Sequence, residues 1–263
     1  MKNEPKKSNA GIPIIIIILV LAGVVGGAWW LYSESKSAAD KNTNRASSST
    51  NAQRASQVPT NAPAGANPPN MLGSPTAAVT VEEFADFQCP TCATTHPTMK
   101  EIQSTYGSRI KFVFRNYPLP MHDKSYDAAV AAEAAGMQGK FWAMQDQLFN
   151  NQQSWAAPGV DNRQIWAGYA EKIGLDVEKF KTDVAGIAAK SRVDLDLQRA
   201  KALNVGSTPT ILVNGQPIPP TEMTPAGLRR IIDGELQKAS ATQAQSSGSS
   251  SQATASGGNS NSK

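Results

Sequence analysis

The two cysteines of this chain, Cys89 and Cys92, stand three positions apart, and no other cysteine occurs among its 263 residues. The run before them, residues 79–87, is rich in Val and Phe and predicts a buried strand. Residues 93–106 predict a helix, so the pair lies at a strand-to-helix junction. This placement determines the surroundings of the thiol. At the first turn of a helix, a thiol meets unpaired backbone N–H groups and the positive end of the helix dipole.

Such a position favours the thiolate. In CxxC pairs of this kind, the pKa of the reactive thiol falls from about 8.5 to roughly 3.5–7.5. The sequence therefore predicts Cys89 as an exposed nucleophile and Cys92, one turn further along, as the partner that closes a disulfide. Pro90 and Thr91 form the dipeptide between them. The pattern indicates thiol–disulfide exchange, with no metal and no cofactor beyond the redox-active disulfide.

Two other roles for the pair remain open at this point. Zinc takes four Cys or His ligands. The chain contains four such residues, namely Cys89, Cys92, His96 and His122. His96 shares a helical face with Cys92, but His122 lies 26 residues further on, outside the usual spacing. A purely structural disulfide is the other alternative, although so short a loop constrains the unfolded chain little.

An uncharged segment of 21 residues, 12–32, follows a lysine-rich start. As a helix it spans about 31 Å, the thickness of the hydrocarbon core of a bilayer. The lysines place residues 1–11 in the cytoplasm and the rest of the chain in the periplasm or at the cell exterior, as a single-pass membrane protein. A cleaved signal peptide is the alternative, with Gly26 and Ala28 before the cut. Both interpretations export the chain to a place where disulfides persist.

Composition divides the remainder into three parts. Residues 33–70 and 240–263 consist mostly of small and polar residues that cannot bury a core, which predicts a flexible linker and a disordered tail. Residues 71–239 have the size of one domain. That domain holds 17 Lys and Arg against 18 Asp and Glu, so the formal charge of +4 lies in its flanks. Nucleic-acid binding is therefore not expected.

Within this domain the pattern predicts an α/β fold, in which a small mixed sheet is covered on both faces and helices are inserted between its strands. Asn214-Gly215 between two short apolar runs predicts a hairpin. Thr224-Pro225 fits an N-cap followed by proline at the first helical position. The predicted strands are 79–87, 110–115, 209–213 and 217–218, and the predicted helices are 90–105, 125–150, 162–173, 176–202 and one from 225.

Glu83 is a candidate for proton transfer. It lies six residues before Cys89 on the predicted central strand. A carboxyl buried below a dithiol can relay the proton that Cys92 loses during exchange, because burial raises its pKa toward neutrality. An ordinary strand-end glutamate, with Glu82 as its exposed neighbour, is the alternative.

Two prolines also fit redox chemistry. Pro97 lies inside the helix after the cysteines, where proline bends the axis. Thr208-Pro209 begins a strand, a plausible place for a cis proline. A cis bond facing the cysteines would turn the Thr208 backbone outward, where it can pair with an extended substrate peptide.

Taken together, these motifs resemble the DsbA-like branch of the thioredoxin superfamily, including its membrane-tethered BdbD type. The resemblance rests on residues 83–92, 97, 139–142 and 205–215, and it covers about 72–236. It implies a thioredoxin fold with a helical subdomain inserted at about 120–203. The dipeptide here is Pro-Thr and not the Pro-His of the strongest oxidants, so no histidine within the motif stabilises the thiolate.

The resemblance also implies roles for particular residues. Cys89 is expected as the nucleophile, Cys92 as the resolving thiol, Glu83 as the buried acid, and Thr208-Pro209 as a substrate-binding cis-proline loop. The expected activity is oxidation of cysteine pairs in exported proteins by a monomer, with re-oxidation by a quinone-linked membrane protein. A membrane-fed reductase or isomerase, and a thioredoxin-like binding or chaperone module with non-catalytic cysteines, are the alternatives.

Overall fold

The computed structural model describes residues 58–59 and 61–255, with side chains described as far as residue 244. The predicted membrane anchor at 12–32 and most of the predicted linker lie outside this part of the chain. Within the described residues, no helix combines the length and the apolar character that crossing a bilayer requires.

The centre of the domain is a five-stranded mixed sheet with the strand order β1-β3-β2-β4-β5. The strands are β1 (Asn70–Gly73), β2 (Val79–Ala85), β3 (Ile110–Asn116), β4 (Thr210–Val213) and β5 (Gln216–Pro217). The β2–β3 pair is parallel, and the other three neighbouring pairs are antiparallel. Six of the seven residues of β2 are buried, because helices cover both faces of the sheet at this strand.

Eight α-helices surround the sheet in the described part of the chain. They are α1 (Pro90–Tyr106), α2 (Ser125–Gly136), α3 (Phe141–Asn150), α4 (Gln152–Trp155), α5 (Asn162–Lys172), α6 (Val177–Ala185), α7 (Ile187–Ala202) and α8 (Pro225–Ala255). Helices α2 to α7 all lie between β3 and β4 in the chain. The structure therefore confirms the predicted α/β fold with an inserted helical subdomain.

The predicted hairpin and the predicted helix cap are both present. Asn214 and Gly215 have φ values of 49° and 79°, the positive values that a tight hairpin turn of type I′ requires. The backbone N–H of Gly227 donates to the Thr224 hydroxyl over 3.1 Å, which caps the start of α8.

Some long predicted helices are divided in the structure. The segment predicted as 125–150 breaks into α2 and α3 at Gly139, whose φ of 73° is a conformation that glycine adopts without strain. The segment predicted as 176–202 breaks into α6 and α7 at Gly186. The short helix α4 is not evident from the sequence, because four residues are too few to show a period.

Residues on both sides of the predicted domain, 71–239, have defined structure. Order begins before residue 70, because Ala66 is buried and its N–H donates to Asp196 of α7 over 2.9 Å. At the other end, α8 continues to Ala255, past Ser240, where the predicted disordered tail begins. A helix already started by its packed first turns extends at little cost, because each further residue adds a hydrogen bond without a new nucleus.

The core lies mainly on the face of the sheet that carries Val81 and Ala85 of β2. The buried side of α1, including Cys92, Met99 and Ile102, belongs to this core. A smaller cluster around Phe84 lies on the opposite face, against the end of α7. The junction between β2 and α1 is thereby fixed from both faces of the sheet.

Candidate active site

Cys89 is the N-cap residue of α1, with an extended backbone (φ −71°, ψ 120°), and Pro90 occupies the first turn. Both cysteines are present as free thiols. Cys92 is fully buried, and Cys89 retains 7% of its surface. Cys89 is thus the more accessible thiol, but it is not the exposed residue that the sequence predicted.

Further along, Pro97 lies inside α1 as predicted, on its solvent side.

Hydrogen-bond donors surround the Cys89 sulfur. The Cys92 thiol lowers the pKa of Cys89 most, and the Thr208 side chain and the backbone N–H groups of Cys92 and Thr91 lower it further. Burial acts in the opposite direction, but the pKa still falls from 9.0 to about 5. At neutral pH, Cys89 is therefore a thiolate.

Cys92 behaves in the opposite way. Burial raises the pKa of its thiol far above the ordinary value, and the adjacent Cys89 sulfur raises it further. The buried thiol keeps its proton and donates it toward the Cys89 thiolate. The pair therefore divides into a reactive thiolate and a neutral thiol, which is the asymmetry that directional thiol exchange needs.

A second loop faces the pair across a narrow gap. The Thr208-Pro209 peptide bond is cis, as the sequence analysis expected. The Thr208 carbonyl oxygen lies 3.6 Å from the Cys89 sulfur. The Thr208 hydroxyl lowers the pKa of both thiols, although it makes no hydrogen bond of standard geometry in the described structure. The loop at Thr208 is therefore part of the thiol environment.

Glu83 is buried, as predicted, with 2% of its surface exposed. It shares a face of β2 with Val81 and Ala85, which belong to the same core as Cys92. Burial raises the pKa of the Glu83 carboxyl from 4.5 to about 8. No hydrogen bond or ion pair reaches this carboxyl from the described residues, so nothing opposes the effect of burial.

Glu82, predicted to be exposed, is buried on the other face of β2. Its carboxylate accepts from Arg115 over 2.7 Å and from Arg199 over 2.6 and 2.8 Å. Burial alone would raise the pKa of Glu82, but the two guanidinium groups hold it below 4.5. The sequence did not indicate this burial, because the arginines come from distant elements.

Neither histidine joins the cysteines in a metal site. His96 Nε2 lies 2.9 Å from Asp146, and His122 Nδ1 lies 2.7 Å from Asp86. Across residues 61–244, no group of three or more His, Cys, Asp or Glu side chains is arranged to hold a metal ion. Each histidine has a carboxylate partner instead.

Two residues of the site were missed by the sequence analysis. Asp86 follows β2, and its carboxylate accepts from the backbone N–H groups of Gln88 (2.7 Å) and Leu119 (2.8 Å) as well as from His122. Gln152 of α4 donates to two backbone carbonyls beside Cys89. Asp86 could have been suspected from its place just before the pair, but nothing in the sequence pointed to Gln152.

A dithiol at the start of the helix that follows the central strand, opposite a cis proline, is the arrangement of DsbA-like proteins of the thioredoxin superfamily. This chain has that arrangement, and its fold is similar to that of BdbD. The chain belongs to a thioredoxin family: the family model described as Thioredoxin matches residues 66–234, well over half of the sequence.

Solved structures with this fold include BdbD and a thioredoxin-like oxidoreductase. Oxidised BdbD from Bacillus subtilis is 27% identical, with a TM-score of 0.58 over 67% of this chain and 98% of that one. A thioredoxin-like oxidoreductase from Silicibacter pomeroyi is 25% identical, with a TM-score of 0.51 over 63% of this chain and 90% of that one.

Curated relatives carry a different name. A Na⁺/H⁺ antiporter, NhaA 1, from Mycolicibacterium gilvum is 35% identical over 150 residues, which are 56% of this chain and 23% of the antiporter. The chain thus spans about a quarter of the length of the curated relatives that it matches. The name of those longer proteins refers to ion exchange, and only a limited segment of each of them matches this chain.

Proposed function

We propose that this enzyme oxidises pairs of cysteines in exported proteins and leaves them joined by a disulfide. The observation that supports this most is the position of Cys89 at the N-terminus of α1, where the Cys92 thiol and the backbone N–H groups of Cys92 and Thr91 lower the pKa of its thiol. These donors stabilise the reduced form of the pair. A disulfide whose reduced form is stabilised is a strong oxidant, because electrons move readily into it.

The proposed reaction begins with the Cys89–Cys92 disulfide. A client thiolate attacks the Cys89 sulfur, a client–Cys89 bond forms, and the bond between Cys89 and Cys92 breaks. The second client thiolate then attacks the client sulfur of this mixed disulfide and releases the Cys89 thiolate. The client loses two electrons and two protons. The cysteine pair gains both electrons, Cys92 takes up one proton from Glu83, and the two client protons pass to solvent.

Glu83 is the proposed source of the proton that Cys92 takes up on leaving. Because burial raises the pKa of its carboxyl to about 8, Glu83 is protonated at neutral pH and can transfer that proton to Cys92. No other described carboxyl on this face of β2 competes for the role. When the pair is oxidised again, Glu83 accepts the proton that Cys92 loses.

The Thr208 loop is the proposed client-binding element. The Thr208 carbonyl already lies beside the Cys89 sulfur, so an extended client segment that pairs with this backbone would present its cysteine to the nucleophile. Pro209, the next residue of the loop, is buried.

The remaining parts of the proposal concern place and turnover. Residues 12–32 are proposed as the anchor that holds the catalytic domain on the extracytoplasmic side of the membrane, where client thiols emerge after export. Each turnover leaves the pair reduced. A membrane protein that passes two electrons to quinone is therefore proposed as the re-oxidase, by analogy with the DsbA-like branch.

The direction of electron flow is tested by equilibrating the purified chain with glutathione buffers. We expect a reduction potential well above the roughly −270 mV of thioredoxin, because the stable Cys89 thiolate favours the reduced pair. The ratio of reduced to oxidised protein is measured by mass after acid quenching and thiol alkylation. A value near that of thioredoxin would show a reductase and contradict the proposal.

The roles of the two cysteines are tested by paired substitutions. Cys92→Ser should accumulate mixed disulfides between Cys89 and client proteins, because no resolving thiol remains. Cys89→Ser should form none, and it serves as the matched control. Non-reducing gels of membrane fractions from cells that express each variant give the measurement. Adducts that form through Cys92 in the Cys89→Ser protein would reverse the assignment.

A further inference from the structure

One side chain of the inserted subdomain reaches directly into the cysteine loop. The Gln152 side-chain nitrogen, at the start of α4, donates to the Phe87 carbonyl over 2.7 Å and to the Cys89 carbonyl over 3.0 Å. Gln152 is buried, with 9% of its surface exposed. Both hydrogens of its amide are therefore committed to the peptide segment that leaves β2 and enters α1.

The two carbonyls differ in what else binds them. The Cys89 carbonyl also accepts from the Ala93 N–H over 3.2 Å, the first hydrogen bond of α1. The Phe87 carbonyl has no other donor among the described residues, and the Phe87 side chain is buried. A buried carbonyl without a donor is costly, so Gln152 supplies the partner that the Phe87 carbonyl needs. Asp86 holds the same turn from the other side, because its carbonyl accepts from the Cys89 N–H over 3.1 Å and its carboxylate accepts from the Gln88 N–H over 2.7 Å.

This orientation matters for the thiolate. Cys89 lies at the helix N-terminus only while its own peptide keeps the N-cap conformation. The Phe87 and Cys89 carbonyl oxygens carry partial negative charge, and the amide hydrogens that Gln152 donates to them offset that charge. No charged group lies in this contact, so the effect is one of fixed dipoles.

We propose that Gln152 is a positioning residue for Cys89. It holds the turn that contains Phe87 and Cys89, and it keeps the sulfur over the start of α1 and opposite Thr208. The inference rests on the proposed role of Cys89 as nucleophile. It assigns a task to the inserted subdomain, which through α4 supplies a part of the thiol site that the sheet and α1 do not contain.

The test uses two variants of the full chain. Gln152→Met keeps the length of the side chain and removes both donors. Gln152→Glu keeps the shape and places carboxylate oxygens against the two carbonyls, beside the thiolate. The Gln153 side chain is exposed and makes no hydrogen bond in the described structure, so Gln153→Met and Gln153→Glu are matched controls one residue away.

The measurement is the rate of Cys89 alkylation by iodoacetamide between pH 3.5 and pH 8 in the reduced protein, followed by mass. Gln152→Glu should raise the apparent pKa of Cys89 by about one pH unit, which lowers the alkylation rate about tenfold at acidic pH. Gln152→Met should shift it in the same direction by a smaller amount. Both Gln153 controls should follow the parent profile.

Thermal unfolding of each variant separates positioning from support of the fold. Unchanged alkylation profiles for both Gln152 variants, with or without lower stability, would overturn the inference. If Gln152→Met does not fold, Gln152→Glu alone decides, because its pH profile reports on the thiol. The result is independent of the direction of electron flow: a reducing potential of the parent protein would refute the proposed oxidation and leave the role of Gln152 standing.

Discussion

Glu82 and Glu83 show how far neighbouring residues of the same type can diverge. They point to opposite faces of β2, as alternate residues of a strand must. Glu82 meets two arginines that hold it ionised, whereas Glu83 meets only apolar surroundings that hold it protonated. The same type of side chain is thus a structural anion on one face of β2 and a candidate proton carrier on the other face.

The protonated state of Glu83 predicts a specific pH dependence of stability. In the unfolded chain its carboxyl ionises near 4.5, and in the folded chain near 8, so the folded state binds more protons between these values. The stabilisation is complete below pH 4.5 and is lost as the pH rises toward 8. Glu83→Gln cannot ionise, so its unfolding free energy relative to the parent should rise by roughly 3 kcal/mol between pH 4 and pH 7.

Urea unfolding of both reduced proteins across this pH range gives the measurement. Cys89 titrates in the parent and in the variant, so the difference between their curves isolates Glu83. Glu171→Gln, at an exposed position of α5 where the side chain makes no ion pair among the described residues, is the control and should change the curve far less than Glu83→Gln. Parallel curves for Glu83→Gln and the parent would mean that the carboxyl is ionised in the folded protein.

At the scale of elements, the segment before β1 is held by arginines from other parts of the fold. The carbonyl of Pro63 accepts from Arg199 over 2.8 Å, and that of Ala66 accepts from Arg115 over 3.1 Å. Arg192 in turn donates to the Pro68 carbonyl over 2.9 Å. These contacts fasten the start of the domain to α7 and β3.

Asp196 lies at the centre of this arrangement and is fully buried. Its carboxylate accepts from the N–H groups of Ala66 (2.9 Å) and Asn116 (3.1 Å) and from the Arg115 guanidinium (3.0 Å). Asp196→Ala should lower the unfolding free energy by about 3–5 kcal/mol, because it leaves a buried guanidinium and two buried N–H groups without this partner.

Chemical denaturation measures the loss. Glu178→Ala is the control, since Glu178 pairs with Lys181 at an exposed position of α6 and such pairs contribute at most about 1 kcal/mol. Equal effects of the two substitutions would show that the buried cluster around Asp196 does not stabilise the domain more than a surface ion pair.

At the scale of the whole domain, the site draws on three parts of the chain. The β2–α1 junction supplies the cysteines, the loop before β4 supplies Thr208, and the inserted helices supply Gln152. Thr208 lies 119 positions from Cys89, and Gln152 lies 63 positions from it. The fold therefore brings these distant groups to the thiol site, and the helical insertion, which supplies Gln152, does more than cover the sheet.

The sequence by itself determined what depends on local order along the chain. The Val- and Phe-rich run fixed β2, and the position of Cys89 before Pro90 fixed the helix N-terminus and with it the thiolate. Asn214-Gly215 fixed the hairpin, because that turn needs two residues that tolerate positive φ. Burial of Glu83 followed from the strand period.

Only the tertiary structure decided what depends on contacts between distant segments. The burial of Glu82 and the early start of the domain at Ala66 both depend on side chains of α7 and β3, and no local pattern records such partners. The small exposure of Cys89 depends on the loop that brings Thr208 against it. The contact from Gln152 depends on where a one-turn helix docks. Local sequence sets backbone preference and period, but the free energy of a buried polar group is set by the partners that folding brings to it.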